Sequence, residues 1–249
     1  MLILFHGDII ISNMSGFYLF LTEWILALAS VFVAVSIFKN KKTSSVSFAY
    51  FWLANALIWF NTAMAVVFLH FNLSSFAVLF ARLSYLFISI STVFMIYYLQ
   101  GDVLKKTKRA KIIAIFYSVG VLVFSYFVFT DGVLSPHFSG WGVRFGMTPQ
   151  LTIMLLPFLL GVGISLFQDF YKRIFGRIRN GYFENVSLFI ITLSIISQLL
   201  LGFLDISIVV VNWQLIFVRM VIAGTILVVY LANLHNMKEN EKVGREVEV

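Results

Sequence analysis

Lys105-Lys106-Thr107-Lys108-Arg109-Ala110-Lys111 places five cations in seven residues between two long apolar runs, Ser75 to Gln100 before it and Ala110 to Thr130 after it. About 20 apolar residues at 1.5 Å each cross the roughly 30 Å of bilayer hydrocarbon, so the basic stretch reads as a short loop between two membrane spans. The pattern repeats along the chain. Lys39, Lys41 and Lys42 follow one apolar run, Lys172, Arg173, Arg177 and Arg179 follow another, and Lys238, Lys242 and Arg245 lie near the end. These four groups hold fifteen of the eighteen Lys and Arg residues, whereas the connections between them carry only Arg144. Short loops rich in Lys and Arg stay cytoplasmic, so every second connection is expected inside and the N-terminus outside.

Seven runs meet the length requirement: Phe17 to Phe38, Phe48 to His70, Ser75 to Gln100, Ala110 to Thr130, Pro149 to Tyr171, Phe183 to Val209 and Gln214 to Asn236. The sequence thus predicts an all-α membrane protein of the cell membrane, a multi-pass bundle of seven transmembrane helices over residues 1–236. Its N-terminus is expected outside and its C-terminus cytoplasmic, with a short charged tail over 237–249. Met1 to Ser15 has no basic segment of the kind that opens a cleaved signal, so the first span is expected to direct insertion. The longest outer connection, Asp131 to Thr148, contains Asp131-Gly132 and Ser139-Gly140-Trp141-Gly142 and reads either as a small hairpin capping the bundle or as an ordinary turn-rich loop.

Composition narrows the function. Hydrophobic residues make up 61% of the chain, charged residues 12%, and the mean hydropathy is +0.96, far outside the soluble range. The net charge of +7 is accounted for by loops facing anionic membrane lipid, and nucleic acid is not a partner. With no cysteine there is no disulfide, thiolate metal site or thiol nucleophile. His6, His70 and His137 belong to the outer side but show no ligand spacing, and His235 lies on the other side, so no metal site is expected. No Gly-x-Ser-x-Gly elbow or paired catalytic carboxylates occur in the spans, and an enzyme is not expected. The last run contains no lysine, which excludes retinal held as a Schiff base, and no cofactor is implied.

The remaining candidates are ions and polar groups inside the runs. Glu23, Arg82 and Arg219 sit five to seven residues into their spans from the outer side, Asp205 nears that level from the opposite direction, and Asn61 lies slightly deeper. Unpaired, each ion at the bilayer centre costs about 2.5 to 3.5 kcal/mol on insertion scales, so at least one ion pair between spans is expected, with Arg82 at its centre. Snorkelling is the alternative for Arg219 and Asp205. Helical spacing sets Arg82, Tyr85, Ser89 and Thr92 on one stripe, and Pro157, Gly161, Ser165 and Gln168 on another. The candidate site or ion-pair network is therefore Glu23, Asn61, Arg82, Tyr85, Asp205 and Arg219: either a pocket open to the outer leaflet or a salt-bridge network that fixes helix register. Trp59 and Trp141 suit an aromatic lid or interfacial anchoring. Asp169 and Glu184, beside the basic residues at the inner boundary, are expected in exposed pairs worth under about 1 kcal/mol.

At Ala81-Arg82-Leu83-Ser84-Tyr85-Leu86 the chain resembles the N-terminal seven-transmembrane sensor domain of prokaryotic histidine kinases. The Gly-rich connection Asp131 to Gly146 and the closing Val228-Val229-Tyr230-Leu231-Ala232 are similar to that family's pattern, and the likeness covers about residues 17–236. It implies sensory input at the membrane, with Arg82 and Tyr85 carried over. Members usually continue into a kinase or other effector, and this sequence stops after a short tail. Either the sensor is expected to act through a separate cytoplasmic signalling partner, or the likeness is one of architecture only. Three functions stay open: a receptor-like sensory module binding a small-molecule ligand from the outer side, a small-molecule or ion transporter or channel with Pro157, Gly161 and Gly202 as hinges, and a structural membrane protein.

Overall fold

The computed structural model describes residues 2–39, 46–139, 142–144, 146–180, 186–206 and 217–232. Among them are seven helices: α1 (Leu2–Lys39), α2 (Val46–His70), α3 (Ser74–Tyr97), α4 (Thr107–Phe127), α5 (Pro149–Asn180), α6 (Val186–Ile206) and α7 (Phe217–Ala232). Five stretches are long and apolar enough to cross a membrane: Phe20–Lys39, Val46–His70, Ser74–Val103, Thr107–Thr130 and Pro149–Gly176. Phe189–Gln198 and Phe217–Ala232 are shorter apolar helices. The tail 237–249 lies outside the described residues, as do Trp141 and Glu184 and the side chains of His6, His137 and Asp205.

Two boundaries differ most from the sequence reading. α1 begins at Leu2, not Phe17, because Leu2 to Phe5 and Ile9 to Ile11 are apolar on either side of His6, Gly7 and Asp8, and the glycines at 7 and 16 are tolerated inside a helix at a cost of about 1 kcal/mol each. α5 runs on to Asn180 rather than stopping at Tyr171, so Lys172, Arg173, Arg177 and Arg179 stand on a helix and not in a loop.

The turns follow from the chain's local chemistry. Asn72 adopts the left-handed conformation (φ 57°), which asparagine tolerates, and Leu73 N donates to Phe68 O at 2.8 Å, closing α2 so that α3 starts at once. α3 widens at its far end into a π-helical segment, Tyr98–Val103, and Lys105 (φ 58°) then turns the chain into α4. α4 ends in a second π-helical segment, Val128–Gly132. The connection after it forms a hairpin of β1 (His137–Ser139) and β2 (Gly142–Arg144), antiparallel with Phe138 opposite Val143, and β2 contacts α1. Of the two readings of this connection, the chain adopts the hairpin. The end of the bundle carrying it is the hairpin end, and the end carrying Lys105 to Lys111 is the basic end.

α2 packs between α1 and α3, α3 also meets α4 and α5, and α5 meets α6. The larger core joins Leu26, Val33 and Ile37 of α1, Trp52 of α2 and Met95 of α3 to Ile222, Ile226 and Val229 of α7. A smaller one joins Tyr85, Phe124, Leu155 and Phe158 near the hairpin end. α4 is peripheral, with Ile112, Phe116 and Leu122 at 69%, 75% and 71% exposed. Such a face would aggregate in water but is matched by lipid chains, as fits a multi-pass membrane protein.

Candidate functional site

The buried face of α1 repeats at three- and four-residue intervals through Glu23, Leu26, Ala27, Ser30, Val33 and Ala34. α7 answers it with Val218, Arg219, Ile222, Ile226 and Val229. Where the two faces meet, Arg219 Nη1 donates to Glu23 Oε1 at 2.5 Å, with the two side chains 3% and 0% exposed. Trp59 of α2 lies against the same guanidinium, its ring centroid 5.8 Å from Cζ, in cation–π range. An acid on α1, a cation on α7 and an indole of α2 over that cation thus form one buried unit. Desolvating both ions is expensive, and only close mutual contact offsets it.

The other sequence candidates are distributed elsewhere. Arg82, expected at the centre of the network, is absent from this unit. It leans toward α4 and donates from Nη2 to the Thr130 carbonyl at 2.6 Å. That places a guanidinium on a helix C-terminal carbonyl, where a cation is favoured. Its Nε is buried and has no hydrogen-bond partner among the described residues, none of whose carboxylates meets it. Tyr85 is buried one turn further along α3, among Phe124, Leu155 and Phe158. Asn61 is buried and donates back to Leu57 O of its own helix at 2.6 Å, taking no part in the ion pair. Asp205 falls on α6, but its side chain lies outside the described residues. His70 is exposed, and no metal-binding group occurs among the described residues.

A second polar layer lies toward the basic end, and its acid was misplaced by the sequence reading. Asp169 is not in an exposed pair: it is 1% exposed, and its Oδ2 accepts both Arg173 Nε (2.8 Å) and Thr192 Oγ1 of α6 (2.7 Å). The reason is the continued α5 helix, which keeps this turn inside the bundle. Gln100, 2% exposed within the π-helical segment, reaches across to α5 and donates from Nε2 to Ser165 Oγ (3.0 Å) and Gln168 Oε1 (3.3 Å). π-helical turns inside α-helices recur at functional positions. Ser165 and Gln168 had been legible as one polar stripe. Asp169, next to Gln168, extends it, and that adjacency was the available signal. In the first half of α5, Tyr117 Oη donates to the Pro157 carbonyl at 3.0 Å. A Cβ at Gly161 would overlap that hydroxyl, so glycine is what admits the phenol.

No family model, curated protein or solved structure matches the chain.

Proposed function

We propose that this chain is a receptor-like sensory module of the cell membrane with seven spans, N-terminus outside and C-terminus cytoplasmic. In this reading it takes an anionic small ligand at the hairpin end and passes a helix shift to a separate cytoplasmic partner. The observation that carries the proposal is the contrast between its two intramembrane arginines. Arg219 is matched by Glu23, whereas Arg82 has one carbonyl partner and a buried Nε that nothing described satisfies. A guanidinium at such a depth favours a carboxylate or phosphate. The Glu23–Arg219 pair supplies the element to be biased, since it ties the first helix to the last, the one nearest the C-terminus. The resemblance at Arg82 and Tyr85 to sensor domains supports the same reading. The runner-up is a transporter, favoured by the buried Gln100 and Asp169 layer and by Pro157 and Gly161 in α5.

Two experiments test this. The natural chain has no cysteine, so Ser135→Cys in intact cells is expected to react with an impermeant maleimide while Lys108→Cys is protected. The reverse pattern ends the proposed orientation. In a thermal-shift screen of small carboxylates and phosphates, wild type is expected to gain stability as RT ln(1 + [L]/Kd) with one of them. Arg82→Gln should lose that increment while melting close to wild type without ligand. Equal increments in both proteins, or none in wild type, would remove Arg82 as a ligand site and leave the pairs as structural locks.

A further inference from the structure

We propose that a groove at the basic end holds an anionic phospholipid, with an acyl chain along the groove and the phosphate between Lys39 and Lys111. The groove has a volume of about 550 Å³ and runs among the first turns of α2, the end of α3 and the early part of α4, lined in part by Ser47, Tyr50, Phe94, Tyr97, Asp102 and Ala114. That volume falls within the roughly 300 to 1,000 Å³ of ordinary ligand sites. Its walls are mostly apolar, with the Tyr50 and Phe94 rings stacked at 5.4 Å. Val46 and Tyr50 on its wall are 58% and 45% exposed. The groove therefore opens on the surface that meets lipid, and an acyl chain is what a bilayer offers to fill it.

Charge selects the headgroup. Lys111 stands three residues before Ala114 on α4, hence on the same helix face and one turn nearer the basic end. The Phe38 ring meets the Tyr50 ring edge-on at 5.6 Å, which brings the end of α1, Lys39 included, beside the groove. Both lysines are exposed, as are Lys105, Lys106, Lys108 and Arg109 at the same end. Asp102 is the one carboxylate among the described lining residues, and its Oδ2 already accepts from Ser47 Oγ at 2.9 Å. One engaged carboxylate against these cations leaves the rim net positive. A zwitterionic headgroup gains little there, because its own cation is repelled while its phosphate is attracted. A headgroup of net negative charge gains about fivefold in binding for each cation beside it. Phosphatidylglycerol therefore fits better than phosphatidylcholine. This inference depends on membrane embedding and not on the sensory reading.

The test is native mass spectrometry of the full chain released from detergent, titrated with phosphatidylglycerol and phosphatidylcholine of identical acyl chains. Wild type is expected to bind phosphatidylglycerol about tenfold more tightly. Lys111→Gln should weaken phosphatidylglycerol binding about fivefold and leave phosphatidylcholine unchanged. Lys172→Gln makes the same charge change at an exposed position on α5, which contributes no described residue to the groove, and should alter neither lipid by more than about twofold. Ala114→Trp, which fills the groove from the peripheral α4, should weaken both lipids. Equal binding of the two lipids by wild type, or undiminished binding in Ala114→Trp, would overturn the proposal. Equal losses in Lys111→Gln and Lys172→Gln would overturn it as well, by showing a general attraction to the basic end and no site. Lys111 is exposed and its replacement leaves the core intact, so the two lysine variants decide even if Ala114→Trp does not fold.

Discussion

Arg219→Met is expected to lower the unfolding free energy by about 3 to 5 kcal/mol, and Glu23→Met by a similar amount. The two side chains are 3% and 0% exposed, so deleting either ion leaves the other charge buried in a low-dielectric interior without its counter-ion. Water cannot replace the lost partner, because the surrounding positions, Leu26, Ile222 and Trp59, are themselves buried. Reversible unfolding in mixed micelles with increasing SDS measures the loss directly. A pair near the surface would lose under about 1 kcal/mol. A change that small in both variants would mean that water reaches the ions in the folded protein.

The second large effect is expected at Asp169. Its single Oδ2 accepts from Thr192 on α6 and from Arg173 on its own helix, so Asp169→Ala removes the acceptor of two buried or half-buried donors at once. Arg173 is 16% exposed in its side chain and can reorient toward water, which discounts its share. Thr192 is buried and cannot. The expected cost is about 2 to 3 kcal/mol, with Asp169→Asn losing less because its amide oxygen still accepts from Thr192. The same micellar unfolding assay checks both. Equal stability of Asp169→Ala and wild type would show that α6 does not depend on this contact.

Most helices were legible because a bilayer fixes the length of an apolar run, and five of the expected stretches recur as helices long enough to cross it. Helix ends were less legible. Hydropathy marks where lipid contact ends but not where hydrogen bonding ends, so α1 and α5 run beyond the expected spans, to Leu2 and to Asn180. The same limit explains the misplaced Asp169: a helix that continues past Tyr171 keeps that turn packed against α6. Among the site residues, Glu23 and Arg219 were legible as intramembrane ions, but their pairing was not. Periodicity assigns each residue to a face of its own helix and says nothing about which other helix that face meets. Arg82 was expected at the centre for its depth and for its place on the polar stripe with Tyr85, Ser89 and Thr92. It meets the end of α4 instead, because α3 lies between α2 and α4 while Glu23 faces α7. The π-helical turn that swings Gln100 toward Ser165 has no signal in the sequence.

Among the described residues one buried ion pair joins α1 to α7, and a double-mutant cycle over Glu23→Met and Arg219→Met measures its coupling. A real buried pair predicts that each single variant loses about 3 to 5 kcal/mol while the double variant, which replaces both ions by apolar chains of comparable size, returns close to wild-type stability. Losses that add within about 0.5 kcal/mol would mean the two residues act independently, and α7 would not be held to α1 by this pair.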